Sequence, residues 1–257
     1  MRTGLYAVNG MQMFCEIRGE GFPLVLLHGF TGSSQDWKLI YPIPPEGYRL
    51  IAPDLRGHGR STNPIGEFTH RQAALDAYAL LDEMGIGEFD AIGMSAGGNA
   101  LLHMATQQPG RPRAMILVSA TPHFPGRARA IMAGAPIENR SKAEWEAMRK
   151  VHHYGDEQIK ALWRQINAFK DSSEDMNFTS EALSGIKART LIVHGDRDFL
   201  YPDDIARELA RGIKDSRLWL VPGGGHVPIF GAASLKFREV ASDFFADRPL
   251  AIGTESP

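Results

Sequence analysis

Cysteine is nearly absent from this sequence, since Cys15 is the only one among 257 residues. A single thiol excludes an intrachain disulfide and a cysteine metal cluster, so we expect Cys15 to be a small apolar residue on a strand. No stretch approaches the length of about 18 uninterrupted apolar residues that a membrane-spanning helix needs. Met1–Gly10 also lacks the charged start and apolar stretch of a signal peptide. These absences favour a soluble, cytoplasmic protein with no membrane partner.

Runs of charge of one sign are missing too. The 28 basic and 30 acidic residues are spread along the whole chain and leave a formal net charge of -2. This distribution provides neither a nucleic-acid-binding arm nor a polybasic membrane patch, so we expect neither partner.

Motifs that hold phosphates, dinucleotides or zinc are also lacking. The chain contains no G-x-x-x-x-G-K-[ST] loop and no H-E-x-x-H pair, and Gly57–Ser61 (G-H-G-R-S) lacks the spacing of a dinucleotide fingerprint. We therefore expect no cofactor and no metal ion.

Short leucine-rich or β-branched runs alternate with helical patterns, which is typical of a parallel sheet covered by helices on both faces. Six runs predict strands: Leu24–Leu27, Tyr48–Pro53, Phe89–Met94, Ala114–Ser119, Thr190–His194 and Arg217–Val221. Five patterns predict helices, four between these strands and one after the last: Ser34–Ile40, Thr69–Met84, Asn99–Gln107, Asp203–Arg211 and Ser234–Phe245. With a hairpin of Leu5–Val8 and Met13–Arg18 at one edge, we expect an α/β fold with a mostly parallel sheet of about eight strands.

One segment interrupts this alternation. About 70 residues separate Ser119 from Thr190, far more than an ordinary connection between a strand and a helix. Glu144–Tyr154 and Glu157–Phe169 have helical patterning within it. We interpret residues 122–185 as a helical cap inserted into a core domain formed by residues 1–121 and 186–257. One extra helix with a long surface loop is the alternative, but large structureless loops are uncommon in compact domains.

A candidate nucleophile lies at the end of the third predicted parallel strand. Residues 93–97 read G-M-S-A-G and lead directly into a helical pattern. A serine flanked by glycines at such a junction is held on a sharp, strained turn that exposes its hydroxyl. A β-carbon at Gly93 or Gly97 would collide with the neighbouring strand and helix. Ser95 is therefore predicted to act as a nucleophile.

A serine hydroxyl needs a base to remove its proton. His226 is the strongest candidate, because it follows the last predicted strand and the flexible loop Pro222–Gly225. Asp198, just beyond the strand Thr190–His194, is the predicted acid. We prefer it to Asp196, which lies closer to the strand and is expected to stabilise the turn through a local hydrogen bond. Six other histidines are predicted to be structural or exposed: His58, His70, His103, His152, His153 and His194.

Attack on a carbonyl creates an oxyanion, and fixed backbone N–H groups that stabilise it commonly supply the largest catalytic effect. The N–H of Ala96, next after the nucleophile, is one predicted donor. The other is the N–H of Phe30, in the loop after the strand Leu24–Leu27.

Five motifs occur in order along the chain: H-G-F at 28–30, D-L-R-G-H-G-R-S at 54–61, G-M-S-A-G-G at 93–98, H-G-D-R-D at 194–198 and G-G-G-H ending at His226. Together they resemble the α/β-hydrolase superfamily, in particular its capped serine esterase and carbon-carbon hydrolase branch, over essentially the whole chain. The resemblance implies the α/β-hydrolase fold and the chain order Ser, Asp, His of its triad. It also implies that Asp54 and Arg56 are mainly structural and tie their loop to the oxyanion loop. Serine at 95 differs from the related dehalogenases and epoxide hydrolases, which have aspartate there.

The leading functional prediction is a carboxylic ester hydrolase that forms an acyl-enzyme at Ser95 and acts on a small-molecule ester. Apolar cap residues predict a mostly apolar pocket, with Trp145, Trp163 and Ile166 as candidate substrate contacts. No arginine or lysine can be assigned to this pocket from the sequence, which favours small to medium, uncharged acyl groups. Two alternatives stay open: hydrolysis of a carbon-carbon bond or perhydrolysis with the same triad, and a ligand-binding receptor with little turnover.

Overall fold

A computed structural model describes residues 1–134 and 140–255 of the chain. It contains one sheet formed by eight strands: β1 (Arg2–Val8), β2 (Met11–Gly19), β3 (Phe22–Leu27), β4 (Tyr48–Pro53), β5 (Phe89–Met94), β6 (Pro112–Val118), β7 (Arg189–Gly195) and β8 (Ser216–Val221). The strand order is β1-β2-β4-β3-β5-β6-β7-β8. The pairs β1–β2 and β2–β4 are antiparallel, and the other five pairs are parallel. The expected mostly parallel eight-stranded α/β sheet is therefore confirmed.

Helices cover both faces of this sheet. Within the described residues they are α1 (Asp36–Ile40), α2 (His70–Glu83), α3 (Ala96–Gln107), α4 (Gly126–Ala133), α5 (Lys142–Val151), α6 (Asp156–Ala168), α7 (Ser180–Ser184), α8 (Asp203–Gly212) and α9 (Ala233–Phe245). Two apolar clusters result, one on each face of the sheet: α2, α3 and α8 contribute to the first, and α1 and α9 to the second. Because the central strands are buried on both faces, they are mainly apolar, as in β5, where all six residues are buried and Asp90 is the one charged residue.

Parallel strands that share a sheet have their carboxyl ends at one edge, and the loops after β3, β5, β7 and β8 therefore meet there. These four loops contain Phe30, Ser95, Asp198 and His226. The topology alone brings the predicted site residues to one edge of the sheet.

The segment between β6 and β7 contains four of the helices, α4 to α7. A capping box of Ser141 and Glu144 begins α5 two residues before the predicted Glu144. Helix α4 was not predicted, and α7 is a single short turn. Residues 135–139, inside the predicted cap, lie outside the described residues. None of the helices in residues 1–134 and 140–255 combines the length and apolarity needed to cross a bilayer.

Candidate active site

Ser95 lies between β5 and α3, with backbone angles φ 50° and ψ -117°. A positive φ is strained for a residue with a side chain, and such strain persists where the surroundings enforce it. Here close packing enforces it: a β-carbon at Gly97 would lie 2.1 Å from the Leu27 carbonyl oxygen, and one at Gly93 would lie 2.5 Å from the Gly97 carbonyl oxygen. Only glycine fits at both positions, as the sequence predicted, and the sharp turn follows.

His226 and Asp198 come together with Ser95 at the sheet edge. The Ser95 hydroxyl donates to His226 Nε2 at 2.9 Å, and His226 Nδ1 donates to Asp198 Oδ2 at 2.7 Å. The loop carrying His226 is held by the residue that follows β6, because the Val227 N–H donates to the Ser119 hydroxyl at 3.0 Å. The rings of Tyr201 and Phe199 lie 5.4 and 5.8 Å from the imidazole. The three predicted residues thus form one continuous hydrogen-bonded chain.

The Asp198 carboxylate is buried and fully hydrogen-bonded. Its Oδ1 accepts from the backbone N–H groups of Leu200 at 2.8 Å and Tyr201 at 3.0 Å, while Oδ2 accepts from His226. Burial alone would raise the pKa of this carboxyl, but the hydrogen bonds to the charged form outweigh burial and lower the pKa. Asp196, by contrast, is exposed, and its side chain makes none of the hydrogen bonds found among the described residues. Its expected turn-stabilising hydrogen bond is therefore not found there.

The loop after β3 lies beside Ser95, since a β-carbon built on Gly29 would be 3.5 Å from the Ser95 Cβ. His28 Nε2 accepts from the Leu55 N–H at 2.9 Å, so its Nδ1 is protonated and donates to the Gly29 carbonyl at 2.7 Å. In a trans peptide the C=O and N–H point in opposite directions, so fixing the Gly29 carbonyl also fixes the Phe30 N–H. Among residues 1–134 and 140–255, neither this N–H nor that of Ala96 donates a hydrogen bond to another residue.

Asp54 connects the loop after β4, to which it belongs, with the loop after β3, as the resemblance implied. Its carboxylate accepts from the Ser34 N–H at 2.7 Å and from the Arg60 N–H at 2.8 Å. Arg56 acts elsewhere: its guanidinium forms a buried, bidentate pair with Asp76 of α2, with both contacts at 2.8 Å. Arg56 therefore ties its loop to α2 rather than to the loop after β3.

A cavity of about 330 Å³ opens beside Ser95. Its walls are mainly apolar, with the side chains of Phe30, Phe124, Ile131, Met132, Trp163, Ile166, Phe169, Phe199, Leu200 and Tyr201. A second, more open cavity of about 450 Å³ borders Ser95 on the side of Gly29, Val227 and Phe230. Ser95 and His226 line both cavities, so a substrate has room on two sides of the hydroxyl.

Of the three residues predicted to contact the substrate from the inserted segment, only two line the cavity. Trp163 and Ile166 of α6 line it. Trp145 does not: it is only partly buried on α5, and the Arg149 guanidinium lies 5.3 Å from its ring. Helix α5 has no fully buried residue, and the face that carries Trp145 touches α6 through Met148, whose sulfur lies 3.0 Å from Trp163 Nε1.

Sequence reasoning missed three polar residues that line the cavity, namely His70, Asn99 and Arg140. Arg140 is a cationic side chain that could not be assigned to this cavity from the sequence. Its guanidinium stacks 4.2 Å from the Trp163 ring and pairs with Glu144 at 3.1 Å. No local pattern distinguishes these three residues, because their positions depend on packing between distant segments. Among the described residues, no group of three or more His, Cys, Asp or Glu side chains is arranged to hold a metal ion.

The order of the strands, the turn at Ser95 and the Ser95–His226–Asp198 chain define an α/β hydrolase site. A family model described as the alpha/beta hydrolase family matches residues 24–239. The chain therefore belongs to the alpha/beta hydrolase family.

Individual relatives agree with this assignment. Serine hydrolase BPHL of Mus musculus is 30% identical over 231 residues, covering 86% of this chain and 78% of the relative. The 2-hydroxymuconate semialdehyde hydrolase of Pseudomonas sp. strain CF600 is 26% identical, covering 91% of this chain and 90% of the relative. Among solved structures, an esterase from Exiguobacterium antarcticum superposes with a TM-score of 0.79 at 22% identity, covering 96% of this chain and all of the esterase chain. That structural likeness shows the fold.

Proposed function

We propose that this protein is a serine hydrolase that cleaves carboxylic esters of small to medium, mostly uncharged acyl groups through an acyl-enzyme. The observation that supports it most directly is the continuous hydrogen-bonded chain from the Ser95 hydroxyl through His226 to the Asp198 carboxylate. A hydroxyl, a base and a buried carboxylate in this order are the arrangement that activates serine as a nucleophile.

In the first half of the reaction, Ser95 Oγ attacks the ester carbonyl while His226 Nε2 takes its proton. His226 then gives this proton to the departing alcohol, which leaves an ester between Ser95 and the acyl group. In the second half, His226 takes a proton from water, the hydroxide attacks the acyl carbon, and Ser95 regains its proton as the acid leaves. Asp198 holds Nδ1–H throughout and stabilises the positively charged imidazolium.

The Phe30 and Ala96 N–H groups would stabilise the oxyanion of both tetrahedral intermediates. Each such donor contributes about 100- to 1000-fold to the rate when it is oriented before the reaction. The hydrogen bond from His28 to the Gly29 carbonyl supports this role, because it orients the Phe30 N–H in the free protein.

The acyl group would occupy the cavity lined by Trp163, Ile166 and Phe169, with residues 122–185 acting as a cap over it. Apolar walls favour uncharged acyl groups. Arg140 does not reverse this preference, because Glu144 carries the opposite charge 3.1 Å away and Trp163 covers one face of the guanidinium.

Carbon-carbon bond hydrolysis with the same triad is the second candidate. Similarity to 2-hydroxymuconate semialdehyde hydrolase over 91% of this chain favours it. The same Ser95 would add to a ketone carbonyl, and a carbanion would leave in place of an alkoxide. Perhydrolysis, in which hydrogen peroxide replaces water in the second half, needs no further residue.

One set of assays separates these functions. Turnover is measured for p-nitrophenyl esters of increasing acyl length, for a β-diketone panel, and for the same esters in the presence of hydrogen peroxide. Each assay is run with the wild type and with Ser95→Ala. We expect ester hydrolysis by the wild type, labelling of Ser95 by an organophosphonate, and loss of both in a folded Ser95→Ala variant. Cleavage of diketones in preference to esters would support the second candidate. A wild-type protein that turns over neither class and takes no label would be a receptor, contrary to the proposal.

A further inference from the structure

A second histidine–aspartate pair borders the cavity of about 330 Å³ beside Ser95, in which we propose the acyl group binds. His70 is the first residue of α2, and Asp175 belongs to the segment between β6 and β7. The His70 Nδ1 lies 2.6 Å from Asp175 Oδ2, and the backbone N–H groups of His70 and Arg71 donate to the same carboxylate at 2.8 and 3.0 Å. His70 and Asp175 are both buried. This pair resembles His226–Asp198 in geometry, but it has no serine beside it in the cavity lining except Ser95, which already contacts His226.

The Asp175 carboxylate fixes the position of the imidazole proton. Burial alone would raise the pKa of this carboxyl, but hydrogen bonds from His103, His70 and the backbone lower it well below its usual range. An ionised carboxylate only accepts hydrogen bonds, so the proton is on His70 Nδ1. In the neutral ring, Nε2 then has a free lone pair and can only accept.

That lone pair opens onto the cavity. His70 lines the cavity. Among the described residues, its Nε2 atom has no hydrogen-bond partner. This atom is also absent from the fully enclosed unpaired polar atoms of those residues, so it is accessible from the cavity. The rings of Phe169, Phe68 and Phe124 surround the imidazole at 5.1, 5.4 and 5.8 Å. None of these phenyl rings can donate a conventional hydrogen bond, so the described surroundings of the ring leave Nε2 without a donor, and a molecule in the cavity can supply one.

We propose that His70 binds the substrate by accepting a hydrogen bond from a hydroxyl group on the acyl chain, and that hydroxylated acyl groups are the preferred class. This inference rests on the proposed ester hydrolysis. An acyl chain without a hydroxyl leaves a buried acceptor unpaired in an apolar wall, and a site with such a group discriminates against ligands that cannot pair it. Asp175 acts as a positioning residue, because it fixes the tautomer and orientation of the ring.

Matched esters test the proposal. Methyl hexanoate, heptanoate and octanoate would each be compared with the ester that carries a hydroxyl on the terminal carbon. We expect the hydroxylated ester to have a kcat/KM about tenfold higher than its parent at one chain length, where the hydroxyl reaches Nε2. The ratio of the two esters is the readout, so a change in overall activity cancels.

Two substitutions of His70 differ in which ring atom they replace. The amide of His70→Asn takes the place of Nδ1 and keeps the contact with Asp175, but removes the acceptor at the cavity. The amide of His70→Gln reaches the position of Nε2 and restores an acceptor there. We expect the ratio to fall to about one in His70→Asn and to recover in part in His70→Gln. His123→Asn, at a half-exposed histidine that does not line the cavity, is the control and should keep the wild-type ratio.

Failure of this inference can be distinguished from failure of the proposed function. Calorimetric titration of Ser95→Ala with the same ester pairs measures binding without turnover, and the hydroxylated member should bind about tenfold more tightly. Ester turnover with equal ratios in wild type and His70→Asn would overturn the role of His70 alone. Absence of turnover together with the binding preference would overturn the ester hydrolysis alone.

Discussion

Two regions of this molecule border the same cavity but are built differently. Helix α3, directly behind Ser95, has ten of its 12 residues buried between the sheet and α2. Helix α5, in the segment between β6 and β7, has none, and α6 has only Ile159 and Leu162. Elements with few buried apolar contacts tolerate movement and substitution better than packed ones. We therefore expect substitutions at the sheet edge to change the rate of the chemistry, and substitutions on α6 to change which substrate is accepted.

The largest effect is expected at the acid of the triad. Asp198→Asn should lower kcat about 10,000-fold, because an amide favours the wrong imidazole tautomer and cannot stabilise the imidazolium. Asp196→Asn is the matched control two residues away, on an exposed side chain, and its kcat should stay close to wild type. Steady-state kinetics on one ester compares the two. A crippling effect of Asp196→Asn would show that the wrong acid was chosen.

Packing around Ser95 is tested by Gly97→Ala. The added methyl would lie 2.1 Å from the Leu27 carbonyl oxygen, and the backbone must move to accommodate it. We expect the free energy of unfolding to fall by about 1–3 kcal/mol, with a loss of kcat as Ser95 and Phe30 shift. Gly110→Ala, where nothing lies within 4 Å of the new methyl, should change the free energy by less than about 0.5 kcal/mol. Equal urea midpoints for both variants would contradict the tight contact.

Two tryptophans test whether the inserted segment determines which acyl groups are accepted. Trp163→Ala enlarges the cavity and should raise kcat/KM for longer acyl groups about tenfold. Trp145→Ala removes a ring that does not line the cavity and should leave the chain-length profile unchanged. Kinetics across a p-nitrophenyl ester series measures both. A lower melting temperature for Trp163→Ala with an unaltered profile would mean that the ring only packs the segment.

The smallest expected effect is on the pH dependence of stability. His152, at the end of α5, accepts from the Gly59 N–H and donates to the Thr31 carbonyl, both at 3.0 Å. Burial, with the nearby His28, lowers the pKa of His152 from 6.5 to about 4. The neutral ring therefore contributes stability above pH 6.5, and this contribution is lost as the pH falls towards 4. His152→Ala should flatten the loss of unfolding free energy between these values, whereas His153→Ala, at the exposed neighbour, should not.

Local patterns located the eight strands and the turn at Ser95, and they gave the bounds of some strands better than others. Tyr48–Pro53 and Phe89–Met94 were predicted with their observed bounds. The first strand was predicted to begin at Leu5, yet it begins at Arg2, because Arg2 pairs with Ile17 across the hairpin and no apolar alternation marks its start. Helix α4 was missed, because its short stretch G-R-A-R-A-I-M-A carries little apolar periodicity.

Side chains around the cavity were harder to predict. Ser95, Asp198 and His226 follow strands at one edge of a parallel sheet, so their meeting could be inferred from chain order alone. His70 follows no strand, and its partner Asp175 lies 105 residues away along the chain. Arg140 and Trp145 are five residues apart, but only the first lines the cavity, and the sequence does not show which way each side chain points.

The buried position of Cys15 has a practical consequence. Its side chain is fully enclosed, and burial raises the pKa of the thiol, so we expect it to react with neither alkylating reagents nor labels in the folded protein. A cysteine introduced on the surface would therefore be the sole reactive thiol of the chain. Lys150→Cys on α5 and Glu83→Cys on α2, the helix that packs against α3, place one such thiol on the inserted segment and one on the core, at exposed positions. A pair of spin labels attached there would report the distance between the regions while a substrate enters, without a cysteine-free background having to be made first.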